Sequence, residues 1–142
     1  MSTNTRPELS ERNKWWVSKH RNYELRHFCL QYPEWCEQVK EIDGLPIMSP
    51  ERHERVDEGK TADPTATYAQ ARISLMARIT TVEQAAYDAC GHQFWYTILI
   101  KAVTEGYSYD VLEAQIGIMP VARGEWYELY RKFFWTLDKM RD

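Results

Sequence analysis

The side chains best suited to surface chemistry lie near the C-terminus. Arg123, Tyr127 and Arg131 recur every four residues, and Lys132 follows directly. Arginine forms bidentate hydrogen bonds with base edges and phosphates, whereas lysine supplies a point charge to a phosphate. The set therefore predicts a surface that contacts double-stranded DNA, with Arg123 at the bases and Arg131 at the backbone.

The spacing of apolar residues places these side chains on one long helix, Ala122–Met140. Six apolar residues follow steps of three and four and fall within an arc of roughly 100°, which is typical of a helix that covers a core. They are Trp126, Leu129, Tyr130, Phe133, Leu137 and Met140. The i, i+4 row that begins at Arg123 and ends at Trp135 turns away from this stripe. We therefore expect the row to face solvent and its partner.

A short helix and a turn precede the long helix. Ser108 is a suitable N-cap for a helix over Tyr109–Gln115, and Gly117 stands where a tight turn requires a left-handed residue. Two apolar residues are expected to anchor the turn inward, Ile118 and Val121. A short helix, a turn with glycine and a long helix predict a helix-turn-helix over about residues 108–141.

The N-terminal third divides into an arm, two helices and a loop. Residues 1–12 are polar and predict a flexible arm, and residues 13–43 have a helical pattern that Pro33 interrupts. Two helices are expected here, over Asn13–Gln31 and Glu34–Ile42. Residues 44–63 hold prolines, glycines and a run of charges, which predict an exposed polar loop.

Residues 64–142 are expected to form a helical core that includes the helix-turn-helix. The Asp63-Pro64 pair predicts a helix start and Gly91 a helix end, with Thr80-Thr81 as a point where the helix could bend. The next segment, His92–Glu105, has a composition that favours a strand, but no other segment offers a partner strand with an alternating pattern. We therefore predict a buried helix there, and an all-α helical bundle for the chain.

Charge and composition limit the classes of protein. The formal net charge of the 142 residues is −3, and Ser108–Asp142 contains five Lys or Arg against six acids. Nucleic-acid-binding domains are usually basic, although a local patch matters more than the sum. The start, Met1–Lys14, lacks the apolar segment of a signal peptide, and the apolar run Phe94–Ile100 is too short to cross a bilayer. With three cysteines, which cannot all pair, these features predict a reduced, cytoplasmic protein that does not enter the membrane.

The spacing of histidine and cysteine gives little support for a metal site or for catalysis. These residues lie close together at two places, His27, Cys29 and Cys36 at one and Cys90 and His92 at the other. No CxxC pair exists, and structural zinc sites are normally built from two such pairs. A nucleophile elbow and a glycine-rich phosphate loop are missing too. We therefore expect no metal, no cofactor and no enzymatic activity.

Two adjacent tryptophans, Trp15 and Trp16, stand at the start of the first predicted helix. Consecutive side chains on a helix point about 100° apart, so the two cannot both face one core. Because aromatic residues are enriched at interfaces, we expect one of them at a dimer or partner contact. A dimer would suit a helix-turn-helix, which commonly binds two half-sites.

A set of motifs between Tyr23 and Arg141 matches a known pattern. It comprises Tyr32-Pro33 with Trp35, Asp63-Pro64-Thr65, and a terminal block of Gly106–Tyr109, Leu112, Ile118–Pro120, Arg123, Trp126-Tyr127 and Arg131–Phe134 to Leu137. In these motifs the chain resembles the RinA/ArpU-like phage and prophage transcriptional regulators. The resemblance implies a late-gene activator that binds DNA through a C-terminal helix-turn-helix similar to region 4 of sigma factors. We expect such a regulator to form a dimer or to dock on RNA polymerase.

A second hypothesis belongs to a different class of protein. Between Glu41 and Asp63 there are seven acids against three Lys or Arg. Such a face would mimic nucleic acid, as in a phage-encoded inhibitor that binds a host protein, for example a defence nuclease. A basic strip through Arg123 and Arg131 would favour DNA binding. A continuous acidic face, with those arginines paired internally, would favour the inhibitor.

Overall fold

The computed structural model describes residues 12–45, 64–91 and 93–141, with the backbone alone for residues 93–95. The regular structure in these ranges is entirely α-helical, which confirms the all-α prediction. The helices are α1 (Lys19–Leu30), α2 (Tyr32–Asp43), α3 (Pro64–Cys90), α4 (Gln93–Glu105), α5 (Tyr109–Ile116) and α6 (Arg123–Arg141). The predicted arm up to residue 11, residues 46–63 of the predicted polar loop, and His92 lie outside the described residues.

The first helix begins at Lys19 rather than at Asn13. The backbone N–H of Trp15 donates to Oδ1 of Asn13 (2.8 Å), and the N–H of Trp16 donates to the carbonyl of Asn13 (3.0 Å). The asparagine side chain thus offers the backbone an alternative to helical hydrogen bonds. Ser18 follows in an extended conformation at the N-cap position, so the prediction of a helix from Asn13 is wrong by about a turn and a half.

The long helix α3 forms the centre of the core. Its 27 residues extend over about 40 Å at 1.5 Å per residue, and it packs against α2, α4 and α6. Its buried residues are Leu75, Ile79, Val82, Ala85, Ala86 and Ala89. The helix is continuous through Thr80-Thr81, so it does not split there. The hydroxyl of Thr81 donates to the carbonyl of Ala77 (2.8 Å) within the helix.

Helix α4 occupies the segment whose composition favours a strand. Leu99, Ala102 and Val103 are buried, and α4 packs against α3, α1 and α2. Gly106, with φ of 75°, ends the helix, and its N–H donates to the carbonyl of Ala102 (2.9 Å). The prediction of a buried helix is correct because packing on three neighbouring helices overrides the local preference of β-branched and aromatic residues.

A short turn connects α5 to α6. The hydroxyl oxygen of Ser108 accepts a hydrogen bond from the N–H of Val111 (3.3 Å), which caps α5 as predicted, and Gly117 has a φ of 101°. Met119 and Val121 are buried, whereas Ile118 is 85% exposed. The expected inward position of Ile118 is therefore wrong, because the positive φ of Gly117 redirects the chain and brings Met119 to the core instead.

Candidate nucleic-acid interface

The core-facing side of α6 differs in part from the predicted stripe. Of its six residues three are buried, two are half-buried and one is exposed: Trp126, Phe133 and Leu137; Leu129 and Tyr130; and Met140. Phe134, which was not expected in the core, is only 1% exposed. The buried arc is wider than the sequence indicates, because α6 packs against both α3 and α1.

The row that begins at Arg123 faces solvent only in the first turn of α6. The side chain of Arg123 is 50% exposed, but that of Arg131 is only 14% exposed. Tyr127 and Trp135 are half-buried. The expectation that the whole row turns away from the protein is wrong beyond Arg123, because α1 and the segment before it cover this side of α6.

Arg123 is oriented by residues of α5. Its Nη2 donates to Oδ1 of Asp110 (2.6 Å), and its guanidinium lies 4.7 Å above the ring of Tyr109. The hydrogen bonds of Arg123 with Asp110 and then with Tyr127 raise the pKa of Arg123, which therefore stays charged at every relevant pH. An exposed ion pair of this kind adds little to stability, so a phosphate or base edge can replace the carboxylate at small cost.

Exposed acidic side chains lie on the same two helices as Arg123 and its partner Asp110. Asp110, Glu113, Glu125 and Glu128 are all exposed on α5 and the first half of α6. Glu128 accepts a hydrogen bond from Nη1 of Arg131 (3.2 Å). A phosphate backbone near this surface would meet several like charges, which lowers affinity.

Lys132 lies on a different side of α6 from Arg131. Its Nζ is 5.4 Å from the centre of the Trp15 ring, and it lines a shallow depression together with Trp15 and Glu125. Arg131 instead lines a cavity against α1. The structure therefore does not bring the four predicted DNA-contact residues, Arg123, Tyr127, Arg131 and Lys132, onto one exposed face.

The two tryptophans differ in their surroundings. Trp15 packs edge-on against Trp135, with 5.0 Å between ring centres, and Lys14 and Lys132 lie over its ring. Trp16 is 36% exposed. Both belong to the segment before α1, so the argument from helical directions does not apply to them. Trp15 makes a contact within its own chain, and a partner contact remains a prediction for Trp16.

Gly124 is a further residue of the candidate site, which the sequence argument missed. It lies in the first turn of α6, without the positive φ found at Gly91, Gly106 and Gly117, and an added Cβ would meet nothing within 4 Å. Glycine inside a helix costs roughly 0.5–1 kcal/mol relative to alanine. Neither the backbone conformation nor the packing within the described residues requires glycine at this position. The sequence did offer a signal for this position, since Gly124 is an isolated glycine within a helical pattern.

The described cysteines have the properties of inert core thiols. All three are free, and burial raises the pKa of Cys90 to about 11 and also raises the pKa values of Cys29 and Cys36. The thiols are therefore protonated at neutral pH, which makes them poor nucleophiles. In the part of the chain that the structure covers, no three His, Cys, Asp or Glu side chains are grouped to hold a metal ion.

Neither membrane propensity nor similarity to known proteins assigns a function. Among the helices described above, none combines the length and the apolar character that crossing a membrane requires. Comparison of the chain with protein families, with curated protein sequences and with solved structures found no match in any of the three. The surfaces of the chain itself are therefore the basis for assigning a function.

Proposed function

We propose that this protein is a phage or prophage transcriptional regulator that binds double-stranded DNA. The DNA-binding unit is a helix-turn-helix, in the manner of sigma factor region 4, formed by α5, residues 117–122 and α6. The observation that carries the proposal is the first turn of α6, where Arg123 is exposed and Gly124 leaves open space beside the backbone. In helix-turn-helix proteins the first residues of the second helix contact base edges in the major groove.

The connection between the two helices supports the proposal because it is held in one geometry. The hydroxyl of Tyr109 donates to the carbonyl of Val121 (2.8 Å) inside the protein. Tyr109 thereby ties the start of α5 to the residues just before α6. The Arg123–Asp110 pair makes a second connection between α5 and α6 at the surface. A contact surface that is already ordered loses less conformational entropy on binding.

The charge distribution sets the expected strength of binding. Asp110, Glu113, Glu125 and Glu128 oppose phosphates close to Arg123, so we expect modest affinity for DNA from the chain alone. A second copy or RNA polymerase bound to the same promoter would raise the effective affinity without new base contacts. Both partners belong to the proposal, and Trp16 is the residue proposed for the contact between copies.

The proposal is tested by selecting a duplex from random DNA with the full chain and measuring affinity at two salt concentrations. Arg123→Ala should weaken binding by about 1–3 kcal/mol and relax the preference at one base position. Arg72→Ala is the matched control, because Arg72 is also exposed and ion-paired on a helix, to Asp43 at 2.7 Å. Equal affinity of both variants and the wild type, with folding intact, would contradict the proposal.

A second candidate is an inhibitor that binds a host protein through an acidic surface. Most of the predicted acidic face, Glu41–Asp63, lies outside the described residues, so this candidate draws on the exposed carboxylates of α5 and α6. The observation that favours it is internal pairing of the arginines, Arg123 with Asp110 and Arg131 with Glu128, beside exposed carboxylates. Failure to select any duplex, together with inhibition of a purified nuclease that Glu125→Lys abolishes, would support this candidate. Selection of a duplex and loss of binding in Arg123→Ala would exclude it as the main function.

A further inference from the structure

A cavity of about 220 Å³ lies between α1, the start of α5 and α6. Its nine lining residues include four tyrosines, Trp126, Arg26 and Arg131, and none of them carries a carboxylate. A dry cavity of about 150 Å³ is known to accept benzene in another protein. The volume here therefore suits a single flat ring with a small substituent.

Positive charge converges on this cavity from three directions. Arg26 approaches from α1, with its guanidinium 6.0 Å above the ring of Tyr130. Arg131 approaches from α6, and α5 begins at the wall, with Ser108 and Tyr109 among the lining residues. A helix N-terminus carries partial positive charge, so all three favour an anionic occupant.

Arg131 lines the cavity, and one of its hydrogen-bond donors is unused. Its Nη1 donates to Glu128 (3.2 Å), but its Nε is buried and has no acceptor among the residues that the structure describes. Buried donors in folded proteins nearly always have a partner. An occupant that brings a carboxylate into the cavity would meet the guanidinium of Arg131 and could form a charge-assisted hydrogen bond with it.

We propose that the cavity binds a small aromatic acid, one flat ring that carries a carboxylate. The carboxylate pairs with Arg131 and Arg26, and the ring packs against Tyr127 and Trp126, which supply aromatic faces. Binding of this ligand does not depend on DNA binding.

A coupling between the ligand and DNA is a second step, and it rests on the proposed function. Tyr127 lines the cavity and is hydrogen-bonded to Arg123, so an occupant that fixes Tyr127 also fixes Arg123. If the ligand changes the affinity for DNA, DNA must change the affinity for the ligand by the same factor.

The test is calorimetric titration of the full chain, without DNA, with benzoate, 4-hydroxybenzoate, benzamide, acetate and adenosine monophosphate. We expect saturable binding of one benzoate or 4-hydroxybenzoate per chain. Both benzamide and acetate should bind at least about tenfold more weakly. Benzamide loses a charged hydrogen bond, and acetate loses the burial of the aromatic ring. Adenosine monophosphate should bind more weakly than benzoate, because only part of it fits inside the cavity.

Two substitutions locate the binding. Arg131→Lys keeps the positive charge but removes the planar donor, and it should weaken benzoate binding about tenfold or more. Arg72→Lys, far from the cavity on α3, should bind benzoate as the wild type does. Thermal melting by circular dichroism checks that both variants fold.

Three results would overturn the inference. In the first, neither aromatic acid shows saturable binding. In the second, acetate binds as strongly as benzoate. In the third, Arg131→Lys, Arg72→Lys and the wild type bind benzoate with equal affinity. DNA binding that persists without any benzoate binding overturns the cavity inference alone. Benzoate binding without any DNA binding overturns the proposed function alone.

Discussion

Replacing Gly124 by alanine should move stability and DNA affinity in opposite directions. The substitution adds one methyl group to the first turn of α6, where the structure shows no neighbour within 4 Å and no positive φ. Alanine is more stable than glycine in a helix by roughly 0.5–1 kcal/mol, partly because it restricts the unfolded chain. In a domain of this size that gain should raise the melting temperature by about 2–4 °C.

The same methyl group should weaken DNA binding. If the first turn of α6 enters a groove, the methyl lies between the helix backbone and the DNA, and overpacking of a close contact costs about 1–3 kcal/mol. Thermal melting by circular dichroism and fluorescence anisotropy with the selected duplex measure the two effects. Ser74→Ala, at an exposed position of α3, is the control, since it should stabilise a helix without changing DNA affinity.

Each measurement on Gly124→Ala can refute one part of the reasoning. A lower melting temperature would show that the described conformation or the open space at this position is wrong. A higher melting temperature with unchanged DNA affinity would show that the first turn of α6 does not approach DNA.

Three further predictions concern the fold. Phe133→Ala, which empties a fully buried site, should cost about 3–5 kcal/mol of unfolding free energy, and an unchanged denaturant midpoint would refute its place in the core. Trp15→Ala should cost about 1–2 kcal/mol because it loses the edge contact with the Trp135 ring, whereas Trp16→Ala should cost less; the reverse order in urea unfolding would contradict these positions. Because burial raises the pKa of Cys90 from 9.0 to about 11, unfolding free energy should fall as the pH rises between those values, and Cys90→Ala should remove that part of the fall.

Helix positions could be predicted where local chemistry determines them. Ser108, Gly91 and Gly117 act where the sequence predicts them, as a cap or as breaks with positive φ. The helical state of α4 also followed, because a lone strand has no partner to pair with. These features depend on residues that are close in sequence, so a single amino-acid sequence is enough to predict them.

The solvent exposure of α6 could not be predicted in the same way. A helical wheel shows which side is apolar, but not how many helices pack on it, and α1 covers Tyr127 and Arg131 in addition to the contact with α3. The turn shows the same limitation, since Met119 rather than Ile118 is buried once the conformation of Gly117 is known. Both errors concern tertiary contacts, which the periodicity of one segment does not contain.

Site-directed DNA cleavage from the first turn of α6 tests the central claim most directly. The native cysteines have raised pKa values, so a cysteine introduced at exposed Ala122 reacts selectively with a thiol-linked iron chelate near neutral pH. Ala69→Cys, at an exposed position of α3, carries the same chelate as a control. We predict strand cleavage inside the selected operator from Ala122→Cys and background cleavage from Ala69→Cys. Two results would contradict the assignment of α6 as the DNA-contacting helix. Either the Ala122→Cys conjugate binds DNA without cutting it, or both conjugates cut the DNA alike.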